Sequence, residues 1–124
     1  MVILLIASFY GYSQSNLKII DSLKQVIQSK PSDSLKIKAL SDLCWYYRNV
    51  SIDSAFVYGN SALNLSKETK NLKGEAQAYN DIGILHYGLA DYNKSLNHYR
   101  QSLKIRLQLK DTLGVASLYN KIGL

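Results

Sequence analysis

Apolar residues recur along this chain at the spacing of one helix face, not at the period of two that a strand requires. Ala76, Tyr79, Ile82, Gly83 and His86 form one stripe. A second runs through Tyr92, Ser95, Leu96, Tyr99, Ser102, Leu103 and Leu107. Between the stripes, Gly88-Leu89-Ala90-Asp91 supplies a turn, and Asp91 is placed to accept backbone N–H bonds at the start of the second helix. The pattern predicts a helical hairpin.

The hairpin recurs. Gly74, Ala76, Tyr79, Asn80, Ile82 and Gly83 return 40 positions later as Gly114, Ala116, Tyr119, Asn120, Ile122 and Gly123. A fixed period of this size marks stacked supersecondary units. Residues 33–73 form a weaker copy in the same frame, with Leu40, Leu43-Cys44 and Tyr47 on the first helix and Ala55, Gly59 and Ala62 on the second. Cys44 occupies the place of Gly83 and Gly123, so that position takes only small side chains. Gly59 stands where the second unit has Tyr99, and Phe56 or Tyr58 is expected to fill the space. The turn of the first unit is read as Val50 to Asp53, and Asn71 and Asp111 as caps of the next first helices.

Ahead of the repeats, Leu17, Ile20, Leu23, Val26 and Ile27 predict a helix over residues 16–30, capped by Ser15 and stopped by Pro31. With no partner hairpin before it, this helix reads as a cap within residues 14–32. Residues 1–13 carry an apolar run, Val2 to Phe9, then Gly11-Tyr12-Ser13 with small residues at the −3 and −1 positions of a cleavage site. These features predict a secretory signal peptide, without the usual leading Lys or Arg, and a mature start at Gln14. The run falls short of the ~20 apolar residues of a membrane-spanning helix. The second full unit covers 74–113, and a third, 114–124, stops within its first helix. A truncated array is therefore expected, with Leu118, Ile122 and Leu124 uncovered and an end prone to fraying or self-association.

These residues resemble the tetratricopeptide repeat. Tyr79, Ile82-Gly83 and His86 fall on that family's first-helix positions, and Ser95, Tyr99 and Ser102 on its second-helix positions. Small residues sit where helices cross closely and large ones where the gap widens. Two features depart from the family: His86 replaces the usual Tyr, and the period of 40 exceeds the usual one of about 34. The second helix, through Leu103 to Leu109, is expected to be the longer one, as in long-repeat variants. HEAT-like repeats share the period but not the Tyr-Asn-x-Ile-Gly opening. The resemblance implies an all-α, right-handed α-solenoid of antiparallel helical hairpins.

Composition narrows the function. A formal charge of +6 is scattered over the chain with no focused basic stripe, and nucleic-acid motifs are absent, which argues against a nucleic-acid surface. Cys44 is the sole cysteine, so no internal disulfide forms, and its place in the repeat points to packing. His86 and His98 have no Cys or carboxylate cluster at metal-ligand spacing. No phosphate loop and no nucleophile–base arrangement is present. No catalytic, metal or cofactor residue is assigned, and the segment is read as non-enzymatic.

What remains is a surface that binds protein or peptide. Carried across by register, the family's concave groove comprises Lys38, Ser41, Trp45 and Arg48 from the first repeat. Gln77, Asn80, Ile84 and Tyr87 follow from the second, and Ser117 and Asn120 from the third. Trp45 and Arg48 are residue types that anchor interfaces, although Trp45 could equally pack against the N-terminal helix. The Lys and Asn pattern that grips a C-terminal carboxylate is not reproduced, and Asn80 and Asn120 are alternatively bridges between first helices. The resemblance implies an exported, periplasmic bacterial scaffold, or the extracytoplasmic input region of a sensor histidine kinase. A catalytic domain beyond Leu124 is the third reading.

Overall fold

The computed structural model describes residues 2–123, with side chains from Gln14 onward. Its described residues are helical and contain no strand. The helices are α1 (Val2–Gln28), α2 (Asp33–Tyr47), α3 (Ile52–Glu68), α4 (Leu72–Gly88), α5 (Tyr92–Gln108) and α6 (Thr112–Ile122). Each packs on its neighbours in sequence, and α2 also packs on α4.

The ends of these helices explain their regular spacing. Asn71, Asp91 and Asp111 each accept a hydrogen bond from the backbone N–H three residues on, so three helix starts are capped as expected. Ser32 and Ser51 do the same for α2 and α3. The first turn therefore ends at Ser51, and Asp53 lies inside α3, not in the turn. Each capping Asn or Asp also donates its own N–H to a carbonyl five residues back: Asn71 to Ser66, Asp91 to His86 and Asp111 to Arg106. This closure needs a left-handed residue just before the cap. Lys70, Ala90 and Lys110 supply it, at φ of 55°, 59° and 55°.

The α4–α5 pairing is antiparallel, as two buried bonds show. Ser95 Oγ donates to the Gly83 carbonyl at 2.8 Å, and Ser102 Oγ donates to the Ala76 carbonyl at 2.7 Å. Seven residues forward on α5 match seven backward on α4. Small side chains let the helices approach closely enough for hydroxyls to reach main-chain oxygens. At the same crossing a Cβ on Gly83 would come within 2.6 Å of Tyr99 Cε1.

The first hairpin inverts this fit. Its α2 carries the larger Cys44, and its α3 the smaller Gly59, whose Cβ position lies 3.1 Å from Cys44 Sγ and 3.2 Å from Ile82 Cγ1. Phe56 and Tyr58 pack around Cys44, Ala55 and Leu85, and Tyr58 stacks on Tyr47 with centroids 5.3 Å apart. The space beside Gly59 itself is closed by Cys44 and Ile82, not by Phe56 or Tyr58.

Several expectations are corrected. Helix α1 starts at Val2 rather than Asn16 and runs through Ser15, because no proline interrupts that stretch and a single internal glycine costs a helix only about 1 kcal/mol. How residues 1–13 pack lies outside the described residues. In α1, Ile20 is buried, but Leu17 is 45% exposed and does not join the core. Helices α4 and α5 each have 17 residues, so the long period is shared equally between them. Leu118 is 1% exposed, not uncovered. It corresponds to Ala78 and faces back onto α5, the neighbour of α6, whereas Tyr119 faces away and is 37% exposed. Ile122 is half-buried, and Leu124 lies outside the described residues.

Candidate functional site

The face carrying the groove residues runs over α2, α4 and α6, and its centre is a chain of hydrogen bonds. Ser41 Oγ on α2 donates to Asp81 Oδ2 on α4 at 2.5 Å. Gln77 Nε2, one turn earlier on α4, donates to Asp81 Oδ1 at 2.8 Å. Gln77 Oε1 accepts from Arg106 Nη2 at 2.9 Å, and Arg106 Nη1 donates to Asp111 Oδ2 at 2.7 Å. From the other side, Lys121 Nζ on α6 donates to Asn80 Oδ1 at 2.7 Å. Three elements that share no direct turn are thereby locked together.

Charge in this chain is tuned by burial. Asp81 is 8% exposed, and burial pushes its carboxyl above the usual carboxylate range. Hydrogen bonds from Ser41, Gln77 and Asn80, with the Lys121 charge, pull the other way. Burial likewise lowers the Lys121 ammonium, opposed by Asp81. Beside Asp81, the buried Cys44 thiol is pushed up to about 12, by desolvation first and the Asp81 charge second. A thiol so placed is neutral and unreactive at ordinary pH.

The predicted groove residues differ in their surroundings. Ser41, Gln77 and Asn80 are consumed by the network and hold helices together; Asn80 bridges to α6 as anticipated. Lys38 is exposed and ion-paired to Asp42 at 2.9 Å. Trp45 and Tyr87 are 45% and 59% exposed, while Ile84 is half-buried. Ser117 and Asn120 are exposed, and among the described residues Asn120 makes no bridge. Trp45 does not pack into the core: the Arg48 guanidinium lies over its ring, 3.4 Å from the centroid. Asp81, Arg106 and Lys121 were missed. Asp81 carries no motif of its own, and the other two reach the face only through contacts 29 and 41 residues away in sequence.

Two clefts open on this face. One, of about 450 Å³, is lined by Lys38, Ser41, Lys73, Gln77 and Arg106 among others. The other, of about 340 Å³, lies between Arg48, Ile52, Ile84, Leu85, Tyr87 and Leu89. The Ser41 hydroxyl on the wall of the first cleft is bonded to Asp81. Among the described residues, no three His, Cys, Asp or Glu side chains come together as metal ligands, and no helix is long and apolar enough to cross a membrane.

Away from the face, the His86 and His98 rings lie tilted together with centroids 5.1 Å apart, between Phe56 at 4.9 Å and Tyr79 at 6.1 Å. The His98 Nδ1–H donates to the Lys94 carbonyl at 2.7 Å. These rings are packing groups at the crossing of α3, α4 and α5. No protein-family model, curated protein or solved structure matches the chain.

Proposed function

We propose that this chain is a non-catalytic scaffold of tetratricopeptide-like hairpins, stacked as a right-handed α-solenoid, that binds a protein or peptide along the face of α2, α4 and α6. One observation carries the reading. Ser41, Gln77, Asn80, Asp81 and Lys121 on that face are tied by hydrogen bonds, while Trp45 and Tyr87 stand exposed beside them. A rigid surface with presented aromatic groups suits association, since little side-chain entropy is lost on binding. We also infer export, from the apolar run and small-residue pair within residues 1–13; amino-terminal sequencing of the secreted protein should begin at Gln14.

Site-specific photocrosslinking tests the binding face. A benzophenone side chain at Tyr87 or Lys38 should yield a defined adduct with a partner, whereas one at Arg100 on α5 should not. Adducts formed from Arg100 alone would place the binding surface on the opposite helices.

A further inference from the structure

We infer that the Arg48 guanidinium, held flat on the Trp45 ring at the mouth of the cleft between α2 and α4, anchors a carboxylate of an acidic peptide. An apolar side chain of that peptide, next to the carboxylate, lies on Ile52, Ile84, Tyr87 and Leu89. The inference rests on the peptide-binding reading above and names the partner's chemistry.

The geometry has two parts. Arg48 is the C-cap residue of α2, with its guanidinium carbon 3.4 Å from the Trp45 centroid. Stacking uses the π face of the guanidinium and leaves its N–H fork free along the edge, which matches a carboxylate with two parallel bonds. Among the described residues no carboxylate lies within 4.0 Å of Arg48, and its side chain has no hydrogen-bond acceptor. Asp42 is paired with Lys38, Asp81 with Ser41 and Gln77, and Asp91 with Lys94. A cation at a helix C-terminus is favoured by the helix dipole in any case. That accounts for the charge, but not for the ring beneath it or the open cleft beside it.

The second part is that cleft of about 340 Å³, whose wall apart from Arg48 and Asn49 is apolar or glycine. Tyr87 and Leu89 at its rim are 59% and 55% exposed. A fixed, half-desolvated cation bordered by exposed apolar surface fits a carboxylate beside a hydrophobic group. The +6 charge of the chain favours an acidic partner and speeds its approach. A nucleic acid is the poorer fit, because its phosphates require a row of cations and this cleft offers one.

The test is selection from a displayed library of random peptides on the full chain, with single-stranded DNA and RNA pools run in parallel. Enriched peptides should carry Asp or Glu next to a large apolar residue, and their binding should perturb the emission of Trp45, the sole tryptophan. Arg48→Ala, with helical content unchanged by circular dichroism, should weaken them about tenfold or more, and Arg48→Lys by less, since charge remains but the fork is lost. Changing the peptide's Glu to Gln should cause the same loss, which is then absent in Arg48→Ala. Free and amidated versions decide whether the carboxylate is a side chain or a chain terminus. Selected peptides that ignore Arg48→Ala but are lost with Lys38→Ala or Tyr87→Ala would overturn this inference and leave the peptide-binding reading standing. No enriched peptide, or enrichment of nucleic acid alone, would overturn both.

Discussion

The Ser41 hydroxyl donates a 2.5 Å hydrogen bond to the Asp81 carboxylate, tying α2 to α4 across 40 residues of chain. Removing it leaves a buried charge with one donor fewer. Ser41→Ala should therefore cost about 1–3 kcal/mol while the Asp81 carboxylate carries its charge. The same change raises the already raised Asp81 pKa further, so the cost should shrink as pH falls and the carboxyl protonates. Chemical denaturation at pH 7 and pH 4.5 measures the difference. An equal cost at both would show that the hydrogen bond does not sense the carboxylate's charge.

Two glycines of α4 should respond in opposite directions. A Cβ at Gly83 would meet Tyr99 at 2.6 and 2.7 Å, and the Ser95 carbonyl at 3.3 Å; at Gly88 it would meet nothing within 4 Å. Gly83→Ala should destabilise by about 1–3 kcal/mol through overpacking. Gly88→Ala should stabilise by up to about 1 kcal/mol, because helix propensity is then the only effect. Equal melting shifts would contradict the α4–α5 register.

The left-handed loop residues make a third prediction. Ala90, at φ 59°, carries a Cβ in a conformation that glycine adopts freely. Ala90→Gly should raise stability by about 1 kcal/mol, measured by urea titration, since relief of the steric penalty is partly offset by unfolded-state entropy. A loss of stability would mean that the loop is held otherwise than its Asp91-to-His86 closure indicates.

His86 sets a pH dependence. Burial, then the nearby His98, lowers its pKa below 6.5, with Asp91 opposing and Lys94 adding to the shift. The unfolded chain therefore takes up this proton first. The contribution is present above about pH 6.5 and is lost as pH falls through the lower folded value. The melting temperature should drop between pH 7.5 and 5, and His86→Phe, which keeps a ring against Phe56, should flatten that drop. Asp111, whose carboxyl is held below 3.8 by the Gly114 N–H and Arg106, is lost in a separate, more acidic window.

Much of the hairpin is legible in the sequence. Asn71, Asp91 and Asp111 cap helices as their side chains require, and Gly83, Ser95 and Ser102 mark the close crossing, because local chemistry and repeat spacing both encode them. The left-handed Lys70, Ala90 and Lys110 were not legible, since lysine and alanine carry no turn signal of their own. Nor was the central lattice. Gln77 meets Arg106 and Asn80 meets Lys121 only after two helices have stacked, and no periodicity in one helix reports its partner's side chains. Leu118 is buried against expectation for a related reason: a first helix has two apolar faces, and only one of them waits for the helix that follows it.

The most direct test of the central claim is hydrogen–deuterium exchange of the full chain with and without a saturating selected peptide. Added protection should concentrate in residues 38–48 of α2 and 77–89 of α4 and its following turn, with α5 unchanged on its outer face. Protection centred on residues 94–105 of α5, with α2 and α4 exchanging as in the free protein, would contradict the assignment of the binding face.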